Sequence, residues 1–309
     1  MNKAVTIFSP ATIANVGPGF DIMGFAIDQP GDRMSLEIIQ GKNHRIINKT
    51  PFDLPLDPDK NAATVSLSAF LDHIGSKEKF LVTFLDKIQP GSGIGSSAAS
   101  SAGSVFAANL MLNEPLSRKE MVRFAMQGEM AACGSVHADN VAPALLGGFV
   151  LIRSYNPLDL VEITPPSDLF CTVIHPEIQL ATKESRRILK GNVPLNVAVT
   201  QAGNVAGLIT GLLTSDYDLI RNSLHDVIAE PARSFLIPGF EKLKEVAMAS
   251  GALGSSISGS GPSVFSLCKG RKSAEAVAKS LKKVFDSMDI PNSVFVSGIN
   301  REGVYQFQE

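Results

Sequence analysis

At 309 residues with 44% hydrophobic side chains, the chain holds enough apolar material for one large packed unit or two smaller ones. A formal charge of −2 without a basic run leaves no electrostatic footprint for nucleic acid or an anionic membrane and favours small-molecule chemistry. Cys133, Cys171 and Cys268 are odd in number and lack C-x-x-C spacing, which argues against a disulfide framework or a cysteine zinc site. With a short apolar start and no apolar run of about 18 residues, a cytoplasmic protein is expected.

In chain order, strands are predicted at residues 5–9, 35–39, 45–48 and 80–84, around a helix over 62–74 with Asn61 as its N-cap. The stretch Gly91-Ser92-Gly93-Ile94-Gly95-Ser96-Ser97-Ala98-Ala99-Ser100-Ser101 follows an apolar, β-prone run. It leads into Ala98, Ala102, Val105, Phe106 and Leu110 at helical spacing. A glycine-rich turn at a helix N-terminus suits a phosphate. The backbone can approach closely, and the first N–H groups lack intrahelical partners. On this stretch alone a plain loop with an N-cap reads equally well. No lysine follows the glycines, so a Walker-type site is not expected. Gly93-x-Gly95-x-x-Ala98 loosely fits a dinucleotide fingerprint, but the region beyond it reads as helix rather than as a strand ending in an acid.

Helices are predicted at about 97–112 and 117–132 and a strand at 148–153, before the break Thr164-Pro165-Pro166-Ser167. That break divides the chain into expected lobes of 1–165 and 166–309. The second lobe reads as a strand at 170–175, helices near 182–189, 195–213 and 239–250, strands at 251–257 and 263–267 around a Gly/Ser loop, a helix at 273–287 and a strand at 293–297. The class is α+β, without internal repeats.

Three glycine-bearing segments stand out: Ser9-Pro10-Ala11-Thr12-Ile13-Ala14-Asn15-Val16-Gly17-Pro18-Gly19-Phe20-Asp21, the 91–101 loop, and Gly254-Ser255-Ser256-Ile257-Ser258-Gly259-Ser260-Gly261-Pro262-Ser263. In this order they resemble the three motifs of the GHMP small-molecule kinases, and the first resembles that of the homoserine kinase family in particular. The segments Gly134–Pro143, Thr182–Arg186 and Glu230–Arg233 agree, so the resemblance spans essentially the whole chain. It implies a ribosomal-protein-S5-like N-terminal lobe and a ferredoxin-like C-terminal lobe, with ATP and substrate in the cleft between them. It further implies phosphorylation of L-homoserine to O-phospho-L-homoserine in threonine biosynthesis, by an enzyme forming a homodimer, with no nucleic-acid or membrane partner.

Residue by residue, the resemblance gives Pro90, Gly91, Ser92, Gly93, Ile94, Gly95, Ser96, Ser97, Ala98, Ala99 and Ser100 to the nucleotide, and Ser97 and Glu129 to Mg²⁺. It gives Asn15, Asp21, His137, Asn140, Arg186, Arg233 and Gly259 to the substrate. Asp21, Asp139 and Asn140 are the candidate catalytic side chains. A carboxylate and a hydroxyl make a sensible partial shell for Mg²⁺, and arginine forks suit a substrate carboxylate. Without the motif context, Glu129 reads as an exposed helix carboxylate and His137 as a structural histidine, and only the Thr182-to-Arg186 spacing prefers Arg186 over Arg187. Relatives in the superfamily carry a lysine where this chain has Thr12, so the expected transfer relies on positioning and charge, with Asp139 as a candidate base. Gln89 before Pro90, and Ile94 in place of leucine, depart from the family pattern without changing the loop's chemistry. A GHMP-type kinase of another small carboxylated alcohol and a non-catalytic homologue are the alternatives.

Overall fold

The computed structural model describes residues 4–134, 136–178, 180 and 182–308. Ser135 and the side chains of Cys133, Thr182 and Lys183 lie outside the described residues. The first sheet starts with β1 (Val5–Ala14) and β2 (Met23–Ile39), a 17-residue strand of which the sequence announces only the end. The strand absorbs Pro30 and Gly31 at an irregularity, its pairing jumping from Pro10–Gly31 to Thr12–Ala26. Next come β3 (Arg45–Asn48), α1 (Ala62–Ile74), whose first turn is capped by the Asn61 side chain, and β4 (Lys79–Asp86). Helices α2 (Ser96–Met111), α3 (Arg118–Cys133) and the short α4 (Val141–Leu146) lead to the hairpin β5 (Phe149–Tyr155) and β6 (Leu158–Ile163). The sequence gives no clear signal for α4 or β6, each only six residues long.

The second sheet begins with β7 (Leu169–Pro176). It is followed by α5 (Thr182–Arg187), α6 (Leu195–Thr214), α7 (Tyr217–Ser223), α8 (Glu230–Arg233) and α9 (Phe240–Ala249). Then come β8 (Ala252–Ile257), β9 (Val264–Lys269), α10 (Arg271–Asp286) and β10 (Asn292–Gly298). Its order β10-β7-β9-β8, antiparallel throughout, is the ferredoxin-like arrangement of a β-α-β-β-α-β unit. The chain then returns to the first lobe, where β11 (Tyr305–Gln306) pairs with β1.

Among the described residues, three apolar clusters hold this together. One lies between the first sheet and α1–α4, and another between the second sheet and α9–α10. The third joins the lobes: Phe25 stacks on Phe149 with centroids 4.5 Å apart and meets Phe265 of the second sheet edge-on at 5.9 Å. Leu208 and Leu212 of α6 complete that cluster. Helix α6 carries no charged residue and is apolar enough by length and composition to cross a bilayer, yet Leu195, Val199 and Leu213 stand exposed on a helix whose other face packs into the protein.

Candidate active site

The three glycine-bearing segments converge on the N-terminus of α2. Gly95, its N-cap, has φ 72°, and a Cβ there would lie 2.0 Å from Thr12 Oγ1, so the position demands glycine on both conformational and steric grounds. Thr12 N donates to the carbonyl of Ile94 (3.2 Å), fastening the first segment to the loop. From the third segment, Ser258 Oγ donates to the Gly93 carbonyl (2.7 Å) and Ser263 Oγ to that of Ser92 (2.6 Å). Loop carbonyls are thus held from behind. Among the predicted nucleotide residues, Pro90, Gly91, Gly93, Gly95, Ser96, Ser97 and Ser100 line the cleft, whereas Ser92 is buried and the side chains of Ile94, Ala98 and Ala99 pack into the cores.

The cleft has a volume of about 430 Å³, in the range of small-molecule sites. Its lining includes the apolar side chains of Leu54, Pro55, Phe84, Ala131 and Ala132 together with Lys60 and Asn61. In the middle, Ser97 hydrogen-bonds Glu129, which is 6% exposed and not the exposed carboxylate that its sequence context suggests on its own. Burial pushes the Glu129 carboxyl up, while the Ser97 bond and the Lys87 cation oppose that shift.

The far end is ionic. Asn15 donates to the Gly259 carbonyl (2.8 Å) and accepts from Asp21 N (3.1 Å), so the first segment presents Asp21 to the cleft. Arg186 lines the cleft and grips Asp21 with both terminal nitrogens (2.8 and 3.0 Å), whereas Arg187 is exposed. Arg233 enters from α8, donating to the carbonyls of Ser185 (2.9 Å) and Gly259 (3.1 Å). Both guanidinium groups lie over the Phe20 ring, at 5.5 and 5.2 Å. Burial, and then the neighbouring Arg186 cation, pushes the Arg233 guanidinium down from its ordinary value. His137 Nδ1 sits 3.8 Å from Asp21, and burial lowers its pKa. Asn140 accepts from Thr12 Oγ1 (2.8 Å), and its neighbour Asp139, 4% exposed, is pushed up to about 7 by burial and by the charges of Asp21 and Glu129.

Residues 61–148 match the family described as GHMP kinases N terminal domain, and residues 208–287 match GHMP kinases C terminal. The chain is 46% identical to the homoserine kinase of Chlorobaculum tepidum, over 97% of each protein. This chain belongs to the homoserine kinase family. The crystal structure of homoserine kinase from Cytophaga hutchinsonii agrees, with a TM-score of 0.95 and 46% identity over 99% of this chain and 98% of that one. The L. major mevalonate kinase, solved with R-mevalonate, covers 97% of this chain and 99% of its own at 17% identity and a TM-score of 0.72, a likeness of fold alone.

Two residues that sequence reasoning missed lie under the phosphate loop. Lys87 Nζ pairs with both oxygens of Asp32 (2.8 and 3.0 Å) and donates to the carbonyl and hydroxyl of Ser96 (2.6 Å each). Asp32 also accepts from Ile88 N and Ser100 Oγ. Both side chains are almost fully buried; burial pushes the Asp32 carboxyl up and the Lys87 ammonium down, and their mutual attraction opposes both shifts. A search for a lysine after the glycines overlooks one supplied before them, at the end of β4. Tyr155 was also silent in sequence: it accepts from Ala138 N (3.3 Å) and donates to the Asp21 carbonyl (2.7 Å), bridging two segments of the ionic end.

Proposed function

We propose that this chain transfers the γ-phosphoryl group of ATP to the side-chain hydroxyl of L-homoserine, giving O-phospho-L-homoserine. The observation that carries the reading is the ionic end of the cleft, where Asp21 faces Arg186 and Arg233 beyond a helix N-terminus suited to phosphate. A carboxylate bound by the two arginines and an ammonium bound by Asp21 satisfy an amino acid, and the adjoining loop offers its N–H groups to the nucleotide phosphates. The apolar lining residues Leu54, Pro55 and Phe84 fit a base.

The donor set also fits Mg²⁺. Among the described residues no group of three or more His, Cys, Asp and Glu is placed to hold a metal, but one hydroxyl and one buried carboxylate, Ser97 and Glu129, adjoin the phosphate loop, and this cation takes its other oxygens from phosphate and water. When bound, it would neutralise charge on the transferring phosphates. Transfer then rests on alignment: Asn140 or Asp21 holds the hydroxyl, the α2 N-terminus offsets phosphate charge, and Asp139 is not an obligatory base.

The same reading makes the enzyme cytoplasmic and dimeric, with no nucleic-acid or membrane partner, and divides it at about residue 165, the segment after β10 returning to the first lobe. The exposed, uncharged face of α6 supports self-association, and sedimentation of a Leu213→Asp variant as a monomer beside a dimeric parent tests it. Activity is tested by ADP release with Mg·ATP against L-homoserine, D-homoserine, mevalonate, galactose, L-serine and a blank. Turnover confined to L-homoserine supports the proposal; turnover with another acceptor instead overturns it.

A further inference from the structure

We infer that Gln201 and Asp226, neither of which reaches the cleft, are positioning residues that set the two halves of the amino-acid pocket in register. The inference rests on the reading above. Gln201, on the buried side of α6, spends its whole amide on three partners. Its Nε2 donates to the carbonyl of Pro18 (2.8 Å) and to Asp226 Oδ1 (2.9 Å), and its Oε1 accepts from Val227 N (2.9 Å). Asp226 in turn accepts from Ile228 N (2.8 Å), Ala229 N (3.0 Å) and Glu230 N (2.8 Å), the backbone donors at the start of α8. Both side chains are only 8% exposed.

The connections on either side give this bracket its meaning. Pro18 lies in the loop that carries Asn15 and Asp21, the acidic half of the pocket. α8 carries Arg233, the basic half. The two halves meet again at one backbone atom, the Gly259 carbonyl, which accepts from both Asn15 and Arg233. One amide and one carboxylate therefore fix the distance between the groups that must bind an ammonium and a carboxylate of the same small molecule. A shift of well under a bond length at either half would miss one end of the substrate. Asp21, at φ 59°, is in a left-handed conformation that a side-chain-bearing residue keeps only when its surroundings hold it, and Gln201 supplies part of that hold through Pro18. Among the described residues, none of the bracket's hydrogen bonds reaches the phosphate loop.

The test is Gln201→Met, which keeps side-chain length and removes all three hydrogen bonds. The expected result is a rise in the homoserine KM of about tenfold to hundredfold, with the ATP KM within about twofold of the parent. Thr210→Ala is the control. Thr210 is exposed further along the same helix and bonds the Ala206 carbonyl of that helix (2.8 Å), so its loss leaves both KM values within about twofold. Should Gln201→Met fail to fold, Asp226→Asn carries the same expectation. Equal rises in both KM values, or no rise for homoserine, overturn the inference. Parent protein without activity on L-homoserine would instead sink the proposed function. Amide hydrogen exchange then still decides: Gln201→Met should accelerate exchange in residues 15–21 and 226–233 together while β8 and β9 stay unchanged, and unaltered exchange in either segment refutes the coupling.

Discussion

Replacing Asp139 by asparagine should make the protein more stable at high pH. In the unfolded chain this carboxyl ionises near 3.8, and in the fold it is pushed to about 7, first by burial and then by the charges of Asp21 and Glu129. Between those values the native state holds a proton that the unfolded state has released. The sign follows: the stabilisation is complete below about pH 4 and is lost as pH rises through about 7. From 3.8 to about 7, at 1.36 kcal/mol per pKa unit, the loss is about 4 kcal/mol. An amide imitates the protonated acid in shape and never ionises, so Asp139→Asn escapes that loss. Urea unfolding of both proteins from about pH 4 to 9 should show equal stability at the acid end and a variant more stable by up to about 4 kcal/mol at the basic end. A difference independent of pH, or a variant weaker at high pH, refutes the argument. The same variant bears on catalysis. Retention of kcat within about tenfold agrees with transfer by alignment, whereas a loss of several decades at unchanged KM makes Asp139 the general base.

Removing the Arg233 guanidinium (Arg233→Ala) should weaken homoserine binding by about 2–4 kcal/mol, or about 30- to 1000-fold, as read from KM or calorimetry, because it strips a buried charged donor from the substrate carboxylate. Lys87→Met leaves Asp32 buried without its cation and should lower the unfolding free energy by about 3–5 kcal/mol, while Asp32→Asn added to it recovers much of the loss; an additive double variant would contradict the buried pair. Glu129→Gln should raise the Mg²⁺ concentration for half-maximal rate at least about tenfold with little change in thermal midpoint, and an unaltered metal titration would remove Glu129 from the cation site.

Much of this arrangement is legible in the sequence because the informative signals are local. Asn61 before an apolar 3.6-residue repeat gives α1 and its cap, and the glycines at 91–95, set between a β-prone run and a helical repeat, mark the turn into α2. Short elements escaped: α4 and α8 are shorter than two helical turns, too short for periodicity to emerge, and β2 hides behind Pro30-Gly31 because its irregular pairing with β1 tolerates residues that normally end a strand. The three motifs and Arg186 were readable as chemistry at the expected spacing. Asp32, Lys87, Gln201 and Asp226 were not, since each owes its place to a partner 9 to 183 positions away and none sits in a pattern that its neighbours reveal. Even Glu129 and Asp139 could be named but not characterised, because both carboxyls are raised by burial that only the fold creates, joined at Asp139 by the charges of Asp21 and Glu129.

The most direct test of the central claim is to follow the acceptor itself by phosphorus NMR during incubation with Mg·ATP and L-homoserine. The account predicts a new phosphomonoester signal, identical to authentic O-phospho-L-homoserine, rising in step with ADP and absent with mevalonate or D-homoserine. ADP accompanied only by inorganic phosphate, or a phosphomonoester formed from mevalonate and not from L-homoserine, would contradict it.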